Sequence, residues 1–235
     1  MDEVPSRTEL RQQTRRRVRV IGIAVVVVLL IAGAVAVFAA GGSHETPKSS
    51  PSTVARGNNI DLPLGPVSAD SAGAAVTVTP DQSQQVLALL NIYIKGATVE
   101  PLRSGKPTTA DLSTVFDPGT LARITTADRS VMLDEGLPKV IGDLDIVAQP
   151  ITLVGLGDQS GNLTLITASV ILDMKGQTTV KGGPLHIVRN ADLVLAPDAS
   201  GAWKVTAYNV SVTRGGAGLD TPTTTATSTT KAATR

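Results

Sequence analysis

His186 and Asp192 are the residues whose types best suit proton transfer in this sequence. An imidazole beside a carboxylate can take and return a proton near neutral pH. They stand six positions apart in a run of alternating apolar and polar residues. On a strand that spacing puts both side chains on one face, but about 20 Å apart along it, too far for a dyad. His186, Asn190 and Asp192 therefore read as the solvated face of a strand. The other histidine, His44, stands in a stretch rich in Gly, Ser and Pro, without a partner. Asp143 and Asp145 also share a strand face and could offer oxygen to a hard cation, but no further oxygen ligands accompany them, and a solvated face again suffices. Asp134-Glu135, just before Gly136, read as an exposed helix end. Gly155-x-Gly157-x-x-x-Gly161 follows a strand, as a dinucleotide-binding loop does, yet the spacing departs by one and another strand follows, so it reads as a hairpin turn. G-x-S-x-G, P-loop and H-E-x-x-H signatures are absent.

Composition removes further classes. With Cys 0, disulfides, cysteine-ligated metals and lipid-modified cysteines are excluded. A net charge of +1 gives no bulk attraction to nucleic acid. The residues thus name no catalytic group, no cofactor and no metal.

What must position any function is a membrane anchor. Residues 20–40 carry no charged or polar side chain; a helix of about 21 residues reaches roughly 30 Å, the hydrocarbon thickness of a bilayer. The preceding segment, 1–19, is basic. Its Arg15, Arg16, Arg17 and Arg19 lie close to the apolar run and are the topology determinants, because such clusters are retained on the cytoplasmic side. The expected layout is single-pass, N-terminus inside, bulk of the chain outside. A cleaved signal peptide ending near Val37-Phe38-Ala39 is the alternative, against which the run is about twice the usual length. Residues 41–78, rich in Gly, Ser, Pro and Ala, read as a flexible tether, with Ile60, Leu62 and Leu64 as a short apolar patch able to dock.

Residues 79–214 read as one ordinary domain. Thr79-Pro80-Asp81-Gln82 is a helix start: Thr79 at the N-cap, Pro80 at the first helical position, Gln82 completing a capping box. Val86, Leu89, Leu90, Tyr93, Ile94 and Ala97 follow at helical spacing, and the helix is expected to stop by Val99, before Pro101. Shorter helices follow: one capped by Thr108 and Asp111, one opened by Asp117-Pro118, and a turn carrying Val131, Met132 and Leu133, with Gly136 as its left-handed terminator. From Lys139 the period becomes two. Strands are expected over 140–156 (interrupted by Pro150), 163–174, 185–195 and 203–213, with turns at Lys175-Gly176 and at 197–201. Short connections make them antiparallel neighbours. Helices followed by antiparallel strands is an α+β pattern, a curved sheet wrapped round the long helix. The Thr-rich tail, 215–235, is expected to be disordered.

The order of elements resembles the NTF2-like (SnoaL-like) cone. The whole plan is similar to actinobacterial Mce-associated membrane proteins. The residues that carry this are the arginine cluster, the apolar span, the helix from Pro80 to Ala97, the strand LHIVRNADLVL and the closing Gly201-Ala202-Trp203-Lys204-Val205. The resemblance implies a cone with an interior pocket, for which Tyr93, Trp203 and Tyr208 are the candidate lining residues; Tyr93, His186, Asp192 and Tyr208 would be its polar groups if the cone were of the isomerase or dehydratase kind. Trp203 is also read as a plug of the core at the open end of the sheet. The resemblance implies a non-enzymatic accessory or assembly subunit of a cell-envelope complex, with lipid transport as its process and the membrane and other envelope proteins as partners. A cone that binds an apolar ligand such as a lipid, and a secretion or conjugation component, are the alternatives. No nucleic-acid partner is expected.

Overall fold

The structure is a computed structural model and describes residues 52–55, 60–105, 111–179, 183–217 and 219–228. These belong to one compact unit, Ser49–Arg235. The basic segment 1–19 with Arg15, Arg16, Arg17 and Arg19, and the apolar span 20–40, lie outside the described residues. Among the described residues no helix is long and apolar enough to cross a membrane.

The fold is α+β: a helical layer packed on one face of a curved mixed sheet. Helix α1 (Pro80–Ile94) begins as its sequence demands. Thr79 Oγ1 accepts from the Gln82 N–H at 3.2 Å, and Gln82 Oε1 accepts from the Thr79 N–H at 2.8 Å. Its buried stripe is Val86, Leu87, Leu90, Tyr93 and Ile94. The expected stop before Pro101 does not occur. The chain passes through a π-helical turn, Lys95–Val99, straight into α2 (Glu100–Ser104), with Pro101 inside the helical run. Proline has no N–H and its ring crowds the carbonyl four residues back. The wider turn, in which the Glu100 N–H reaches Lys95 O, accommodates it.

Three short helices follow: α3 (Leu112–Val115), α4 (Pro118–Ile124) and α5 (Arg129–Met132). Asp117 caps α4, its Oδ1 accepting from the Gly119 and Thr120 N–H groups at 2.9 and 3.3 Å. Thr108, expected to cap α3, lies outside the described residues. Gly136 does have a left-handed φ of 75°, but α5 ends earlier, because Leu133 turns extended and buries itself.

The strands are β1 (Ser52–Ala55), β2 (Leu64–Ser71), β3 (Val140–Ala148), β4 (Ile151–Gly157), β5 (Leu163–Thr178), β6 (Leu185–Pro197), β7 (Trp203–Gly216) and β8 (Leu219–Ser228). The spatial order is β1-β3-β5-β6-β7-β8, with β4 also on β5 and β2 on β4. Pro150 explains the branching. It cannot donate to a ladder, so the expected strand 140–156 breaks there into β3 and β4. Both run antiparallel to β5, one along Leu172–Thr178 and the other along Leu163–Ser169.

Three boundaries differ from the sequence reading. Lys175-Gly176 is strand, not turn: a Cβ on Gly176 would meet Val140 Cγ1 at 2.6 Å, so the glycine serves a close approach. The stretch 41–78 is not wholly a tether. β1 pairs antiparallel with β3 and β2 pairs parallel with β4, Leu62 is buried, and the Ile151 N–H donates to Pro63 O at 2.7 Å. The tail 215–235 contains β8, antiparallel to β7. Of its described threonines, Thr224 is half-buried and Thr225 and Thr227 are exposed; β-branched residues suit strands, and β7 offers an unpaired edge. Pro222 lies where the β7–β8 register shifts, between the Val212↔Thr224 and Arg214↔Thr221 pairs, as a residue without a donor requires.

The core is one cluster joining α1, the π turn and the short helices to alternate residues of the sheet. It includes Phe116, Leu102, Ile146, Ile166, Leu172, Ile187, Leu193, Val205 and Val210. Asp117 N–H donates to Val205 O at 3.1 Å and Thr120 Oγ1 to Thr206 O at 2.9 Å, so this helical segment covers the part of β7 that β8 does not reach.

Candidate functional site

Arg189 and Arg214 occupy core positions of adjacent strands. In β6 the inward residues are Leu185, Ile187, Arg189, Ala191, Leu193 and Leu195; in β7 they include Val210, Val212 and Arg214. Ile187 stands opposite Arg214 and Arg189 opposite Val212, so the two arginines are diagonal neighbours under the helical layer. The chain leaving α5 brings Asp134 down onto them. Arg189 Nη2 donates to Asp134 Oδ2 at 2.6 Å. Arg214 donates to Asp134 Oδ1 through Nε at 2.9 Å and Nη2 at 2.6 Å. Thr98, in the π turn, donates its hydroxyl to Asp134 Oδ2 at 2.7 Å. Arg189 Nη1 donates to the Tyr93 hydroxyl at 2.7 Å and to the Val131 and Met132 carbonyls at 3.3 and 3.4 Å. The guanidinium also lies 5.8 Å from the Tyr93 ring centroid, and Tyr93 meets Phe116 edge-on at 5.3 Å.

This cluster is dry. The Asp134 and Arg189 side chains are 0% and 1% exposed, and that of Arg214 is 8% exposed. Burial pushes the Tyr93 phenol above its ordinary range, more than Arg189 beside it pulls it down. Burial works to neutralise Arg189, but the Asp134 charge and the hydrogen bonds to Asp134 and Tyr93 hold it above its ordinary value. Two cations thus face one anion, with a phenol held protonated beside them. All four side chains are buried. What the arrangement does is join α1, the π turn and the end of α5 to β6 and β7.

A second network sits nearer the surface. Asp128 Oδ2 accepts from the Tyr208 hydroxyl at 2.5 Å and from Arg123 Nη2 at 2.8 Å, and Arg123 Nη2 also donates to Thr227 O of β8 at 3.1 Å. Burial, then the Asp128 carboxylate, pushes the Tyr208 phenol well above its ordinary range. Arg129 pairs with Glu135.

The candidates named from sequence do not converge. Tyr93, Trp203 and Tyr208 are all buried in the core cluster, and the two phenols belong to different networks. His186 and Asp192 lie on the opposite, outer face: His186 Nε2 pairs with Asp173 Oδ1 at 2.9 Å, and Asp192 Oδ1 accepts from Ser169 Oγ at 2.7 Å. Asp143 and Asp145 are exposed on β3. Gly155 and Gly157 are strand residues crossed by the chain on its way to α1: a Cβ at these positions would meet Val78 Cγ2 at 2.6 Å and Val76 Cγ1 at 2.8 Å. Of the three glycines, Gly161 alone serves the turn expected of them. Among the described residues no group of His, Asp and Glu could hold a metal ion. A hollow of ≈ 420 Å³ is lined by Ile92, Lys95, Gly96, Glu100, Asp111 and Thr114.

Asp134 is the centre of the core network, not the exposed helix end that its sequence context suggests. The signal for it lay elsewhere in the chain. Arg189 and Arg214 each break an apolar alternation on the core side, and a cation there requires a buried anion. Comparison of the chain with family profiles, with curated proteins and with solved structures finds no match.

Proposed function

We propose that this chain is a single-pass membrane protein, N-terminus inside, that displays an NTF2-like domain outside the cytoplasmic membrane as a non-enzymatic accessory or assembly subunit of an envelope complex, with lipid transport as the process it serves. The observation that carries this reading is the Asp134–Arg189–Arg214 cluster. In a helix-on-curved-sheet domain the interior is where a pocket and its titratable pair would sit. Here Asp134, Arg189 and Arg214 are buried there and bonded to one another, which supports a structural role for them. Tyr93, Trp203 and Tyr208 pack as core residues. Recognition is then left to the outer surface, as suits a subunit that works by contact. Anchoring rests on the uncharged run 20–40 and on Arg15, Arg16, Arg17 and Arg19, with the orientation set by the positive-inside rule.

The test is purification of the full-length chain from its own membrane in mild detergent, with co-purifying proteins and extracted lipids both quantified. The reading expects a stoichiometric envelope protein and no stoichiometric lipid. A defined lipid retained one-to-one without protein partners would overturn it in favour of a carrier.

A further inference from the structure

We propose that β8 is an exchangeable strand, and that the edge of β7 beneath it accepts β8 from a second copy of this chain. Three separate features lead there. First, β8 joins the sheet through a backbone ladder on one side. Among the described residues it pairs only with β7. Among its described side chains, Ala226 and Ser228 are buried and Leu219 is half-buried, so these side chains hold the strand with little apolar surface. Second, the connection is strained. Gly216 pairs with Leu219, and Ala217, directly after Gly216, has a φ of 47°, a left-handed conformation that a Cβ disfavours. Letting the chain run straight through this point relieves the strain, which is the recognised circumstance for strand exchange. Third, the seat is selective. The inward positions of β8 that it buries are small, Ala226 and Ser228, while Thr225 and Thr227 face out. Thr227 Oγ1 donates to Asn209 Oδ1 at 3.0 Å, and Arg123 Nη2 grips Thr227 O. A second copy supplies the same residues in the same register, so the exchanged dimer reproduces every closed contact and is two-fold symmetric.

The chain has Cys 0, which makes a cross-linking test clean. Two differently tagged full-length copies, one N209C and the other T227C, are co-expressed in one membrane and oxidised. Positions 209 and 227 are direct cross-strand partners. The control replaces T227C by T225C, whose partner is Ser211; diagonal strand positions stand too far apart for an unstrained disulfide. The proposal expects the 209–227 heterodimer at about tenfold or more over the control, and its reduction when A217G, which tolerates the turn, is added to both copies. A 209–227 yield no greater than the control, with the disulfide forming only when both cysteines share one chain, would overturn it.

Discussion

The Asp134 N–H donates to the carbonyl of Ala97 at 2.8 Å, the carbonyl that Pro101 leaves without its helical donor. One residue thus satisfies the break in the long helix through its backbone and two buried arginines through its side chain. The helical irregularity and the core charge cluster are therefore one structural device.

Removing the carboxylate leaves two guanidinium groups buried against each other. Breaking a buried ion pair from one side costs about 3–5 kcal/mol. D134A is expected to lose at least this, read as a lowered midpoint in denaturant unfolding followed by Trp203 fluorescence, the chain having Trp 1. T98V removes one hydroxyl donor and should cost about 1 kcal/mol.

Gly176 tests the close approach of β5 to β3. G176A puts a Cβ 2.6 Å from Val140 Cγ1, and overpacking of this kind costs about 1–3 kcal/mol. In the V140A background the same substitution should be nearly neutral. A double-mutant cycle on unfolding free energy measures the coupling.

Alkaline pH should weaken the fold through its tyrosines. The folded state holds Tyr93 and Tyr208 above the ordinary phenol range, so above about pH 10 the unfolded chain loses protons that the folded chain keeps. The stabilisation is whole below the unfolded value and declines as pH rises towards the folded one. Each tyrosine contributes a slope of about 1.4 kcal/mol per pH unit in that window. Unfolding of Y93F and Y208F between pH 9 and 11 should show a shallower decline than the parent.

Legibility in the sequence followed the range of the interactions. The Thr79–Gln82 cap is a contact between residues three apart, and it stands as read. The strands β5, β6 and β7 were visible because each alternates within itself. β2 and β8 were not, since neither carries an apolar pattern: Pro150 opens the edge that β2 takes, and β7 alone recruits the threonines of β8. Pro101 reads locally as a stop, and only the distant Asp134 N–H makes it tolerable inside a helix. The cluster needed Arg189 and Arg214 to be placed in register, which a single strand cannot reveal.

The topology has its own test in the missing cysteine. S6C should resist a membrane-impermeant maleimide in intact cells and S43C should react; the opposite pattern would invert the orientation.

The central claim is that the interior serves the fold and the surface serves the function. The triple substitution D134L, R189M and R214M tests it most directly, since well-packed apolar groups can replace a buried ion cluster at little cost. The account predicts a folded, membrane-inserted protein that still co-purifies its envelope partner in the parental ratio. A variant that folds with the parental unfolding midpoint yet loses that partner, or a stoichiometric ligand, would contradict it.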